Sequence, residues 1–260
     1  MNSSIVYDVE TQRTFAEVGD RIDQLRVSFL GLYAYSQDKF FSFFERDLSK
    51  LETILQRERP TIIGFNSISF DNRVVQPYFQ NLAIADLPQV DILHDIHRTL
   101  GFRLKLESVA QATLGEGKSG TGLDAIRYFR EGDWKNLARY CLDDVRITRD
   151  LYNYGCAHGF ILFMSGGLSQ RIPVRWSTQP TITERLTQAL QQHVSIQLQY
   201  IQLTDTSRTV TTSMIDVYSI SDKHIEVFCH TRNTRWRYDI ERIISVTPTG
   251  HGFSYQATLL

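Results

Sequence analysis

The chain has 260 residues, 42% of them hydrophobic, and its 28 basic and 29 acidic side chains leave a formal charge of -1. That is enough apolar material for one large domain or two ordinary ones, and it excludes a global basic field as the means of holding a polyanion. Cys141, Cys156 and Cys229 lack C-x-x-C spacing and are odd in number, and no apolar stretch nears membrane-span length, so a disulfide framework, a thiolate zinc site and a membrane partner are excluded and a cytoplasmic protein is expected.

Ser4 to Glu10 reads as the first strand. Its apolar run Ile5, Val6, Tyr7 leads into Asp8 and Glu10, which alternate along the strand and so share one face. Two carboxylates side by side favour a hard divalent cation, Mg²⁺ or Mn²⁺, completed by water and a substrate phosphate. Alone the triplet says little, since about 0.8 D-x-E triplets arise by chance at this composition. Arg13 to Asp23 is a polar link; Leu25 to Tyr35 and Phe40 to Phe44 follow as strands. Leu48 to Arg57 has helical spacing, with Leu48, Leu51, Ile54 and Leu55 on one face, and Pro60 ends it before a short buried strand, Thr61 to Phe65.

The next motif, Asn66-x-x-x-Phe70-Asp71, is expected only about 0.03 times by chance. It opens a helix from about Phe70 to Phe79, where Asp71 can approach a cation from a direction different from the first strand. Asn66 can hydrogen-bond a substrate or fix the loop, and Phe70 can stack on a base or fill the core. Val90 to His94 runs from a strand into a helix ending at Leu100, and Leu104 to Leu114 is a second amphipathic helix. Asp91, His94 and His97 invite a metal reading, but a strand-end Asp and helix-face histidines more often make structural hydrogen bonds. Gly115 to Gly122 reads as a loop whose Lys118 is a candidate phosphate contact. Trp134 to Tyr154 is a long helix in which Tyr140 and Asp144, at i and i+4, face the same way.

Taken together, Asp8-x-Glu10, Asn66-x-x-x-Phe70-Asp71 and Tyr140-x-x-x-Asp144 resemble the three exonuclease motifs of the DEDD 3′-5′ exonucleases, in the variant with tyrosine in the third motif. The runs VDILHDIHRTLGFRLKLESVAQATLG, LDAIRYF and LARYCLDDVRITRDLY are similar to the exonuclease domain of family B DNA polymerases and its stand-alone relatives. The resemblance covers roughly residues 1–160 and implies an α/β fold of ribonuclease H-like type, a mixed sheet flanked by helices. It further implies two divalent cations held by Asp8, Glu10, Asp71 and Asp144, with Tyr140 orienting the attacking water. The implied catalytic set is therefore Asp8, Glu10, Asp71, Tyr140 and Asp144, with Asn66, Phe70 and Lys118 on the substrate. The implied partner is nucleic acid, DNA before RNA, engaged at single-stranded 3′ ends and released as nucleoside 5′-monophosphates.

Residues 161–180, with Ser165-Gly166-Gly167, Pro173 and Pro180, read as a linker to a second domain over 181–260. There a helix from Thr181 to His193 precedes five alternating strands: Ser195 to Leu203, Thr209 to Ser219, His224 to His230, Arg235 to Ile240 and Ile243 to Thr247. The alternation suggests a small barrel. Ile196-x-x-x-Tyr200, Arg208-x-Val210, Cys229-x-x-Arg232 and Arg237-Tyr238-x-Ile240-x-Arg242-Ile243 resemble a WYL domain, an SH3-like barrel, although Lys223-His224-Ile225 stands where the name-giving triplet falls. Arg208, Arg232, Arg235 and Arg237 form a candidate phosphate or strand contact; the plainer alternative is that they pair with neighbouring acids. Besides an exonuclease, a nucleic-acid-binding or ligand-sensing regulator and a nuclease subunit of a larger complex fit this organisation.

Overall fold

The computed structural model describes residues 4–117, 122–204 and 207–254. Two compact units divide the chain: one runs to Tyr154 and takes in Phe160–Trp176, the other comprises Gly155–Gly159 and Ser177 onward. Lys118 lies outside the described residues.

The first unit is built on a five-stranded sheet of β1 (Ser4–Thr11), β2 (Val27–Ala34), β3 (Lys39–Phe43), β4 (Thr61–Gly64) and β5 (Gln89–Asp91). Its order is β3-β2-β1-β4-β5, with β1, β2 and β3 antiparallel and β1, β4 and β5 parallel. A short turn, 35–38, joins the antiparallel β2 and β3, residues 12–26 with two short helical turns join β1 to β2, and helical segments lie between β3 and β4 and between β4 and β5. The helices are α1 (Phe15–Val18), α2 (Leu48–Glu58), α3 (Asp71–Val75), α4 (Ile92–Leu100), α5 (Leu106–Leu114), α6 (Gly122–Glu131) and α7 (Trp134–His158).

Alternation along β1 sorts its side chains between two cores. Ile5, Tyr7 and Val9 pack with Leu51, Leu55 and Val75 of α2 and α3. Val6 packs instead with Tyr33, Ile63 and Val145 of α7. Asp8 and Glu10 share the second face by the two-residue period, which turns both carboxylates toward α7. The helix expected over Phe70 to Phe79 is shorter: α3 stops at Val75 and a 3-10 turn, Gln76–Tyr78, follows, because Pro77 supplies no backbone N–H.

Residues expected as a linker form a hairpin of β6 (Phe160–Ser165) and β7 (Leu168–Pro173). Gly166 and Gly167, both at positive φ (57° and 79°), make its two-residue turn. Ile161 and Ile172 are fully buried against Ile92, Ile96, Val109 and Leu151, so this stretch completes the first unit's core.

In the second unit α8 (Ile182–Gln192) begins at Thr181, whose hydroxyl accepts from the Glu184 backbone N–H in a capping box. Five antiparallel strands follow, β8 (Val194–Leu203), β9 (Arg208–Ile220), β10 (His224–Cys229), β11 (Thr234–Asp239) and β12 (Ile243–Gly252), in the order β11-β10-β9-β8-β12. The expected barrel is not formed among the described residues, since β11 and β12 are edges of an open sheet. Leu186 and Ala189 of α8 cover its apolar face, Ile196, Leu198, Ile215, Val217, Ile225 and Val227. A helix lid buries that face without closure, and the sequence alternation is the same either way. No helix among the described residues is long and apolar enough to cross a membrane.

Candidate active site

Two helices of the first unit, α3 and α7, converge on β1. Asp8 and Glu10 stand on the strand itself, Asp71 opens α3, and Tyr140 and Asp144 lie one turn apart on α7. Asp71 reaches the β1 backbone next to Asp8, its Oδ1 accepting from the Val9 backbone N–H at 2.9 Å. Donor atoms of Asp8, Glu10 and Cys141 all lie within 4.8 Å of one another. The Cys141 Sγ–H points to the Asp8 carbonyl at 3.4 Å and to its Oδ2 at 3.6 Å. Glu10, Asp71 and Asp144 are buried, and Asp8 is partly open to solvent.

Burying acids together is costly, and the titration behaviour reflects it. Burial first, and the Asp8 charge second, hold the Asp71 carboxyl well above the ordinary carboxylate range, although the Val9 N–H pulls the other way. Cys141 is likewise raised by burial and then by Asp8, Glu10 and Asp144, so it remains a neutral thiol. As a neutral thiol it donates to Asp8. What remains is a set of carboxylate oxygens, which suits a hard cation such as Mg²⁺ or Mn²⁺. Tyr140 is buried among Phe29, Ala125 and Leu137, on the helix that carries Asp144.

Two further features hold the acids in place. The Asp91 side chain accepts from the backbone N–H groups of Asn66 (2.8 Å), Ile68 (3.0 Å) and His94 (3.1 Å). It thereby caps α4 and pins the loop before Asp71, the structural role that a strand-end aspartate usually has. Tyr7 donates to Asn72 Oδ1 beside Asp71, which ties α3 to β1.

Gly31 is the residue that sequence reasoning missed. It pairs with Asp8 across β1 and β2, and a Cβ there would meet Cys141 Sγ at 3.1 Å, Leu142 at 3.1 Å and Val145 at 3.2 Å. A side chain there would press on three α7 side chains, so the glycine makes room for α7 to pack beside Asp8. The available signal was a lone glycine inside an otherwise apolar strand, which marks close approach of another backbone.

The candidate substrate contacts divide. Phe70 sits at the α3 N-terminus with its ring 5.9 Å from that of Phe15. Both line a cavity of about 470 Å³ that includes Glu10, Leu123 and Ile126. Asn66, at φ 71°, accepts through its Oδ1 from Arg103, a cation that the sequence pattern does not single out. In the second unit, Arg232, Arg235 and Arg237 gather on the β10–β11 hairpin and its turn. Arg232 lies 4.2 Å over Trp236, Arg235 lies 5.5 Å over Tyr218, and Arg237 pairs with Glu226 at 3.2 Å. Arg208 is not brought to them: it starts β9 at the far end, opposite Leu203.

A mixed sheet with helices on both faces and a cluster of acids at its central strand defines an acid-centred α/β domain. The family model of the RNase_H superfamily matches residues 6–155, and the chain belongs to that superfamily. No curated protein matches the chain in sequence. Among solved structures, the family B DNA polymerase from the hyperthermophilic archaeon Pyrobaculum calidifontis is similar at 18% identity and a TM-score of 0.46, over 59% of this chain and 25% of the polymerase. Proteasome accessory factor B/C (PafBC) of Arthrobacter aurescens is similar at 20% identity and a TM-score of 0.25, over 60% of this chain and 22% of the factor. The chain thus spans about a quarter of the length of these two proteins.

Proposed function

We propose that the first unit is a divalent-metal-dependent 3′-5′ exonuclease that hydrolyses a phosphodiester at the 3′ end of a nucleic-acid strand, DNA before RNA, and releases a nucleoside 5′-monophosphate. The observation that supports this most is the gathering of acids at β1: Asp71 bonded to the Val9 N–H next to Asp8, and Asp8, Glu10 and Asp144 around Cys141 of α7. On this reading Asp8, Glu10, Asp71 and Asp144 hold two cations, Mg²⁺ or Mn²⁺. Cations bound there would supply a nucleophile at neutral pH and charge stabilisation for the departing 3′ oxygen. Tyr140 would orient the attacking water by hydrogen bonding, since α7 presents it one turn from Asp144. The cavity beside Glu10, walled by Phe15, Phe70 and Leu123, would take the terminal nucleoside against its aromatic rings. Asn66 and Arg103, already bonded to each other, stand ready for the phosphate that follows.

For the second unit we propose an auxiliary contact to the strand or to a small anionic ligand, in keeping with its WYL-like sequence features. Arg232 and Arg235, each over an aromatic ring, combine charge and stacking surface there.

The test uses 5′-labelled DNA and RNA oligonucleotides, single-stranded and duplex, with Mg²⁺ or Mn²⁺. A ladder that shortens from the 3′ end, requires the cation and is absent in Asp8→Ala and Asp144→Ala is the expected result. Internal cuts would make the activity endonucleolytic, and strand binding without cleavage in any condition would overturn the nuclease reading.

A further inference from the structure

A second cavity in the first unit, about 490 Å³, is lined by Ser28, Phe44, Glu45, Arg46, Phe129 and Trp134 among others and includes none of the candidate catalytic acids. Its walls are aromatic: Trp134 meets Phe44 edge-on at 5.8 Å and Phe129 at 5.7 Å, yet Trp134 remains 48% exposed. A large ring left open in such a wall is a stacking surface in want of a partner. The floor is polar. Ser28 is 2% exposed and its hydroxyl has no hydrogen-bond partner among the described residues.

The position of Ser28 explains why that hydroxyl is there. Glu10 pairs with Phe29 and Thr11 with Val27, so the register steps and Ser28 is left opposite no residue of β1. Such a bulge re-aims a side chain, and bulges are common next to functional sites. A buried hydroxyl without a partner costs free energy that a ligand polar atom would relieve. At the rim, Arg46 is largely exposed, its guanidinium 5.5 Å over the Phe44 ring and only 3.9 Å from Asp47 at its nearest acid contact.

We propose that this cavity binds a nucleotide, separately from the acid site. A nucleobase offers a flat face to Trp134 and in-plane donors and acceptors to Ser28, and its phosphate suits Arg46; the volume falls in the usual range for small-molecule sites. An aliphatic ligand would leave Ser28 unsatisfied. The nucleotide comes either free, as a mononucleotide, or as one residue of a strand. The site needs no cation, which separates it from the proposed nuclease chemistry.

The experiment is calorimetric titration of the whole chain in EDTA with AMP, UMP, adenosine and a ten-residue oligonucleotide. EDTA removes cation-bridged contacts at the acid site, and loss of binding in the cavity variants separates this cavity from the other candidate contacts. Ser28→Ala should weaken binding about 5- to 10-fold with no loss of thermal stability, and Trp134→Leu about 10-fold or more. Arg46→Gln should abolish the preference for AMP over adenosine. A mononucleotide that binds as tightly as the oligonucleotide identifies a free nucleotide as the occupant; an oligonucleotide at least tenfold tighter identifies a strand residue. Absence of saturable binding by every probe, or binding that Ser28→Ala and Trp134→Leu both leave unchanged, overturns the proposal whatever the fate of the nuclease reading.

Discussion

The two units place charge in opposite ways. The first buries like charges: Glu10, Asp71 and Asp144 are withdrawn from water around β1, and Asp71 is pushed toward its protonated form as a result. The second displays its charges on an exposed hairpin, where Arg237 already has Glu226 at 3.2 Å and the others rest on aromatic rings. Exposed charges of that sort are nearly neutral to stability and are screened by salt. Buried acids are not, and a fold that keeps them makes stability and function compete. Substitutions should therefore act very differently in the two places.

The largest effect is expected at the acids. Asp8→Asn or Asp144→Asn should lower cation-dependent hydrolysis on the order of 10³-fold, while far-UV circular dichroism stays that of the parent chain. A loss below tenfold would mean that the buried acids serve something other than phosphodiester chemistry. Next comes Gly31→Val. The added side chain must displace α7 from Asp8, at a cost of about 1–3 kcal/mol in stability and about 10²-fold in hydrolysis. Chemical denaturation and initial rates measured on one preparation separate the two losses, and Gly31→Ala should fall between the variant and the parent in both.

Burial also dictates a pH dependence. The Asp71 carboxyl has its pKa raised in the folded chain, so the folded state holds that proton more tightly than the unfolded state. Its contribution to stability is present in full below the ordinary carboxylate range and is lost as pH rises through the raised value. Asp71→Asn removes this slope while keeping an oxygen for the Val9 N–H. In urea melts of the metal-free protein, the variant should gain on wild type as pH rises above the ordinary carboxylate range. Addition of Mn²⁺ or Mg²⁺ near pH 8 should raise the wild-type midpoint and leave the variant's almost unmoved, because the cation replaces the proton as the counter-charge. Parallel pH profiles for the two proteins would show that Asp71 is not the strained member of the cluster.

How much of this was written plainly in the sequence depends on the range of the interaction. Alternation placed Asp8 and Glu10 on one face of a strand, helical spacing put Tyr140 and Asp144 together, and four strands of the second unit were legible to within a residue, whereas the last, expected to end at Thr247, runs on to Gly252. These are local periodicities, and the chain states them directly. The bond from Val9 N–H to Asp71, the room that Gly31 makes for α7 and the pinning of the Asn66 loop by Asp91 join residues far apart in sequence, so local periodicity does not name the partners. The hairpin at Phe160–Pro173 was misread as a linker because glycines and prolines punctuate turns and linkers alike. The barrel was misread because alternation reports one buried face and does not report what buries it.

The smallest effects belong to the second unit, and they sharpen the contrast because its geometry ranks residues that sequence alone treated as equals. Arg232 and Arg235 hold their guanidinium groups over rings without a carboxylate salt-bridge partner among the described residues, so each can give its charge to a phosphate. Arg232→Ala with Arg235→Ala should weaken single-strand binding about 3- to 10-fold and flatten the logarithmic salt dependence by about 0.7 for each phosphate no longer neutralised. Arg237→Ala should matter less, because binding through Arg237 would have to break its pair with Glu226. Arg208→Ala should leave binding unchanged, since Arg208 stands at the other end of β9. Hydrolysis of a dinucleotide should be the same in all of these variants, since none of these arginines belongs to the acid site. Filter binding at two salt concentrations ranks them, and an Arg208→Ala effect equal to that of the double variant would show that the strand follows β9 and not the β10–β11 hairpin.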